Sequence, residues 1–181
     1  CMGDYVCWSA PVDDLSDWRY EGIIYPRCED PLNKDGKMCL YAPDVTVGPD
    51  GRYYLYYVLD KVSLVFVAVC DTPAGRYEFY GYVHDRNGIR LGERPTDEPQ
   101  FDPGVLTEGN RTYLYTGFCG RGDKSRTGAM VTVLGPDMLT IEEEPVIVVP
   151  GCEYSKGTGF EGHEFFEASS MRKINNTYYF I

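Results

Sequence analysis

Short runs of aromatic and β-branched residues recur along the whole chain, each closed by a turn signal. Tyr53-Tyr54-Leu55-Tyr56-Tyr57-Val58-Leu59 is one such run, and Val131-Thr132-Val133-Leu134 lies within another. Segments of this length and composition, separated by Gly, Pro, Asn and Asp, predict β-strands. The strands expected on this pattern are Tyr5–Ala10, Arg19–Tyr25, Ser63–Cys70, Tyr77–His84, Gly128–Leu134 and Glu144–Val149, with further strands inside the repeat described next. Turn residues such as Asp71-Thr72-Pro73-Ala74-Gly75 and Gly135-Pro136-Asp137 separate them. Helical periodicity is nearly absent. Residues 12–18 have room for a single short turn.

Three segments share one grammar. They are Ala42-Pro43-Asp44 through Tyr56, Phe101-Asp102-Pro103 through Tyr115, and Phe166-Glu167-Ala168 through Phe180. A carboxylate opens each, a short strand follows, and a polar turn leads into an aromatic strand. Asp50-Gly51 in the first turn is a direct hairpin signal. The opening carboxylates are 58 and then 65 residues apart. Two more strands fit between successive repeats, so each unit of about 60 residues holds four strands, the pattern of a propeller blade. Equivalent positions in successive blades converge on the central axis. Asp44, Asp102 and Glu167 are therefore expected to meet there, although any one of them alone reads as a turn or cap residue. Clustered carboxylates repel, and one of them then holds its proton near neutral pH. A protonated carboxyl beside ionised ones is what glycosidic cleavage uses.

These segments resemble glycoside hydrolase family 43. Tyr41-Ala42-Pro43-Asp44 is similar to the family's Trp-Ala-Pro-Asp segment. Phe101-Asp102-Pro103 resembles the segment that bears the supporting carboxylate, and Phe166-Glu167-Ala168 the one that bears the general acid. The resemblance implies an all-β, five-bladed β-propeller, of which the chain covers about three blades. It further implies an inverting glycosidase cutting arabinose- or xylose-containing glycans. In that scheme Glu167 is the acid and Asp102 orients it and raises its pKa. Asp44 lies at the rim of the pocket, Tyr41, Phe101 and Phe118 stack on or wall the sugar, and His163 lies near substrate. Glu161 and Glu164 are rival acids by proximity, but only Glu167 keeps register with the aromatic strand. Departures from the family pattern are Tyr41 in place of Trp and Ala168-Ser169 in place of Gly-Pro. No Asp in residues 1–25 stands in the context of the family's general base, which is expected upstream of Cys1. Residues 1–181 thus read as one partial propeller domain cut at both ends, inactive in isolation.

Composition narrows the alternatives. The chain has 181 residues, 43% hydrophobic and 14% aromatic, enough for a packed core. Its formal net charge is −11, with no basic patch of the kind nucleic acid needs. No apolar run is long enough to cross a membrane as a helix, and no leader peptide is visible; a cytoplasmic location is expected, with secretion as the alternative. The seven cysteines form no CxxC pair and read as free thiols. No metal site or cofactor is expected, and nothing marks a structural calcium. The expected partner is an oligo- or polysaccharide. Two other functions fit the same blades. A sugar-binding propeller without catalysis would keep the aromatic residues and dispense with the base. A glycoside phosphorylase would need a phosphate site, for which Arg121, Lys124 and Arg126 are the candidate cluster; with Asp123 among them they read as a solvated loop.

Overall fold

The computed structural model describes residues 3–181; Cys1 and Met2 lie outside the described residues. Twelve strands are arranged in four antiparallel sheets. Strands β1 (Tyr5–Ser9) and β2 (Arg19–Tyr25) form a hairpin. Strands β3 (Leu40–Val47), β4 (Tyr53–Leu59), β5 (Phe66–Cys70) and β6 (Glu78–Tyr82) form a four-stranded meander. A second meander follows, built from β7 (Gly104–Glu108), β8 (Arg111–Thr116), β9 (Gly128–Leu134) and β10 (Ile141–Pro150). A last hairpin pairs β11 (Met171–Ile174) with β12 (Thr177–Phe180). The first strands of successive sheets, β3, β7 and β11, lie against one another. Sheets joined through their first strands in this way are the blades of a β-propeller.

The central strand β4 shows how the sequence produces this stacking. Its residues are hydrophobic without alternation, and side chains of a strand point to opposite faces in turn. Tyr54 and Tyr56 enter the core shared with the next blade, beside Val65, Val67, Val105 and Leu114. Leu55, Tyr57 and Leu59 enter the opposite core, beside Ile24, Tyr25, Leu40 and Phe66. A blade flanked on both faces needs apolar residues at odd and even positions alike, which is why this run has no polar face.

Between the first two blades the core contains a buried polar network. Tyr57 Oη donates to Asp30 Oδ2 (2.5 Å) and lies 2.7 Å from Tyr25 Oη. Leu32 N–H donates to Asp30 Oδ1 (2.7 Å). Burial pushes the Asp30 carboxyl above the usual carboxylate range, and the bond from Tyr57 opposes that rise in part.

Among the described residues, helix is confined to a 3-10 turn at Arg27–Glu29 and to α1 (Cys152–Ser155). The expected turn at residues 12–18 is two hydrogen-bonded turns, Asp14 N–H to Pro11 O and Asp17 N–H to Asp14 O, with no helix. The six described cysteines are free thiols; Cys1 is not described. No helix among the described residues is long and apolar enough to cross a membrane. No cluster of three or more His, Cys, Asp or Glu able to hold a metal ion occurs among them.

Candidate active site

Each inner strand begins with a backbone kink. Ala42, Asp102 and Ala168 have φ of 45°, 47° and 51°, in the left-handed region that residues with a Cβ seldom occupy. Such outliers concentrate at functional sites, where surrounding structure holds them in place. The kinks sit at the point where each chain enters the blade, and the three expected carboxylates lie at or within two residues of them.

The ladders refine the repeat. Asp44 pairs with Tyr56, whereas the partner of Tyr115 is Gly104 and the partner of Phe180 is Met171. Asp102 thus precedes its ladder position by two residues and Glu167 by four. The three carboxylates are not at one repeat position, as the sequence spacing suggested. Lengthening segments between carboxylate and ladder move each one further out of the strand. Their burial differs as well, without following the stagger: Asp44 is half-buried within β3, Asp102 is 6% exposed, and Glu167 is exposed.

Asp44 and Asp102 nevertheless line one cavity of about 270 Å³, together with Ala42, Pro43, Pro103, Ala168, Ser169 and Ser170. Each also clips its blade to the next. Val105 N–H donates to Asp44 Oδ2 (2.8 Å), and Ala168 N–H donates to Asp102 Oδ2 (3.2 Å). Gly104 brings the blades closer still, since a Cβ there would stand 2.5 Å from the Ser169 carbonyl oxygen. Glu167 lines a neighbouring cavity of about 440 Å³ with His163, Phe165, Phe166 and Phe180. Ala168 borders both cavities.

The electrostatics distinguish the carboxyls. Burial raises the Asp102 pKa to about 6, and the charge of Glu167 adds to the rise; Ala168 N–H and Arg126 act against it. Desolvation likewise raises Asp44, opposed by the Val105 and Val45 N–H groups and by Arg172. Burial, more than repulsion between the carboxylates, therefore sets the raised proton affinity of Asp102. The rival acids are committed elsewhere. Glu161 accepts Gly157 N–H (2.9 Å), and Glu164 accepts Gly162 N–H (2.8 Å) and Ser155 Oγ (3.1 Å). These bonds tie both to their own loop.

The aromatic residues form a row beside the carboxylates. Ring centroids run Tyr41–Phe101 (5.9 Å), Phe101–Phe118 (6.0 Å) and Phe118–Phe166 (5.7 Å), all tilted or edge-on. Tyr41, Phe101 and Phe118 do not line either carboxylate cavity. Phe166 does line one, and at 54% exposure it is the most open ring of the row. Sequence reasoning passed over Phe166, although it precedes Glu167 as Phe101 precedes Asp102. His163 is exposed and lines the Glu167 cavity. In the basic loop Arg121 and Lys124 are exposed, whereas Arg126 is turned onto the Phe118 ring with its guanidinium carbon 5.1 Å from the centroid.

The fold is that of a β-propeller, and paired carboxylates at the start of its inner strands are the residue type that glycosidic cleavage uses. The chain belongs to glycosyl hydrolases family 43, whose family model matches residues 4–181. It is 77% identical over its full length to a xylosidase/arabinosidase of Thermoclostridium stercorarium and spans 38% of that relative. A xylosidase/arabinosidase of Bacteroides ovatus is 30% identical over 154 residues, covering 72% of the chain and 45% of the relative. Among solved structures, an α-L-arabinofuranosidase from Clostridium thermocellum superposes with a TM-score of 0.69 at 26% identity, covering 99% of this chain and 52% of that one. A β-xylosidase structure superposes with a TM-score of 0.72 at 23% identity, a likeness of fold alone. The chain thus spans about two-fifths to one-half of the length of these proteins.

Proposed function

We propose that the chain supplies the proton-donating half of a glycosidase active site acting on xylose- or arabinose-containing glycans. Glu167 is the general acid in this reading, and Asp102 is its supporting carboxylate. The single observation that carries it is Asp102: a buried carboxyl beside a cavity, held up by desolvation and by the charge of Glu167. The name of the 77%-identical relative supports the substrate class.

The geometry suits a division of labour. Glu167 is exposed and borders an open cavity, where a glycosidic oxygen can approach it. Asp102 is fixed through Ala168 N–H, the residue directly after Glu167 in the chain. It stays near Glu167 without entering the substrate's path. Its ionised form opposes loss of the proton that Glu167 must deliver. Phe166 offers the substrate an exposed ring, and His163 stands across the same cavity. Tyr41, Phe101 and Phe118 back that ring. Asp44 occupies the adjoining cavity, where its second role is to hold the next blade. Inversion also requires a base on the opposite face, roughly 6.5–9.5 Å from the acid; that carboxylate belongs to the remainder of the propeller.

The test is Asp102→Asn in the full-length protein. The amide keeps an oxygen for Ala168 N–H and removes the charge beside Glu167. The alkaline limb of the kcat/KM profile is expected to move to lower pH, since the proton on the acid is no longer defended by a neighbouring negative charge. An alkaline limb at its original position would remove Asp102 from the supporting role. Absence of any turnover of xylosides or arabinofuranosides by the unmodified protein would leave a binding propeller instead.

A further inference from the structure

Arg126 lies in the connection between β8 and β9, and its surroundings differ from those of the other cations in that loop. Its side chain is 20% exposed. Its Nη1 donates to the Phe118 carbonyl oxygen (3.0 Å), while the guanidinium covers the Phe118 ring. Phe118 in turn forms an antiparallel bridge with Glu167, and the next residue, Cys119, donates its N–H to Phe166 O (2.7 Å). A continuous set of contacts therefore runs from the guanidinium through the Phe118 backbone to the backbone of Glu167. The ring of Phe118 also stands between those of Phe101 and Phe166, the residues immediately before Asp102 and Glu167.

We propose that Arg126 is a positioning residue for the Asp102–Glu167 pair, fixing the Phe118 bridge that places Glu167 and supplying the positive charge the pair faces. The inference rests on the glycosidase reading given above and extends it to a residue outside the expected site. The charge acts on Asp102 directly, because Arg126 is the one cation that lowers its proton affinity. The groups facing the pair are Glu167, Asp44 across the shared cavity, and Arg126 itself. Those facing Arg126 are Asp123, with Oδ2 3.9 Å from Nε, and Cys119, whose own surroundings include Glu98. Both Glu98 carboxylate oxygens accept from Thr127, its N–H (2.9 Å) and its Oγ1 (2.5 Å). Asp123 accepts from Ser125 N–H (2.8 Å) and Ser125 Oγ (2.6 Å). Asp123 Oδ2 is thus left to face the guanidinium, whereas Glu98 is held by Thr127. An arginine that only braced the loop would need the hydrogen bond and the ring contact, and its charge would be immaterial to the reaction.

The experiment compares Arg126→Gln with Arg126→Lys in the full-length protein, using pH profiles of kcat and kcat/KM on aryl xylosides and arabinofuranosides. Both replacements retain a donor for the Phe118 carbonyl, and only lysine retains the charge. Removing a cation strengthens proton binding by the carboxyls it neighbours. The glutamine variant is expected to show the alkaline limb of its bell displaced to higher pH by about half a unit or more, with kcat falling more than KM rises. The lysine variant keeps its bell near the original position. A glutamine variant with an undisplaced bell, or two variants displaced alike, overturns the inference. Should the glutamine protein not fold, Arg126→Met, which still covers the Phe118 ring, gives the charge comparison with lysine. Full activity of Glu167→Ala on poor leaving groups would sink the glycosidase reading itself. An inactive Glu167→Ala beside an undisplaced Arg126→Gln bell sinks only the role of Arg126.

Discussion

Glu167→Ala in the full-length protein is expected to lower kcat/KM on an unactivated xylo- or arabino-oligosaccharide by roughly 10²–10⁴-fold, the usual contribution of a positioned general acid. The loss should shrink sharply on an aryl glycoside whose phenol leaves without protonation. That contrast is diagnostic because it depends on what Glu167 does for the leaving oxygen, not on how tightly substrate binds. The side chain is exposed and belongs to no core cluster, so its removal leaves the blade packing intact. Kinetics on a graded series of aryl leaving groups check the result. A uniform loss across the series would assign the proton to another group, with Asp102 the first alternative given its raised affinity.

The second large effect concerns stability. Tyr57 is wholly buried between the first two blades, its ring 5.3 Å from Phe66 in a stacked arrangement and 5.1 Å from Tyr25. Tyr57→Ala removes that ring from a packed core, at about 3–5 kcal/mol, and leaves Asp30 without its phenol donor. Thermal unfolding of the full-length protein should therefore begin several degrees earlier, the shift for each kcal/mol shrinking as the domain grows. Tyr57→Phe separates the two causes. It preserves the stacking and removes only the hydroxyl, so its loss is about 1–3 kcal/mol, the penalty of an unsatisfied buried group. A phenylalanine variant as stable as the parent would show that the Asp30 bond contributes nothing net. Burial raises the Asp30 pKa, so the folded state binds its proton more tightly than the unfolded chain does. Its contribution is thus fully favourable below the ordinary aspartate range and declines as pH rises towards the raised folded value.

The blades were legible in the sequence because the hydrophobic pattern there is strong. The strands expected at Arg19–Tyr25 and Gly128–Leu134 have those bounds in the structure. The outer strand β10 begins three residues earlier than its apolar run, at Ile141, because Glu142, Glu143 and Glu144 face outward along a bulged ladder. Register shifts break alternation there, and these three glutamates form no apolar run either, so neither trace of a strand is left in the sequence. The carboxylates were found through the repeat, but their stagger was not, since ladder register depends on partners across the sheet. Arg126 was lost among charged neighbours; the difference between it and Lys124 is a ring on the far side of a loop. Phe166 was hidden for the converse reason, an aromatic beside an acid reading as ordinary core.

The clip from Ala168 to Asp102 and the close approach of Gly104 to Ser169 have a mechanical meaning. In the proposed roles Glu167, the acid, sits on one blade and Asp102, its partner, on another, so their separation is a property of the seam and not of either sheet. Whatever widens that seam detunes proton delivery from a distance, with neither carboxylate altered. Variants that lose activity while keeping every acidic side chain should cluster along this joint.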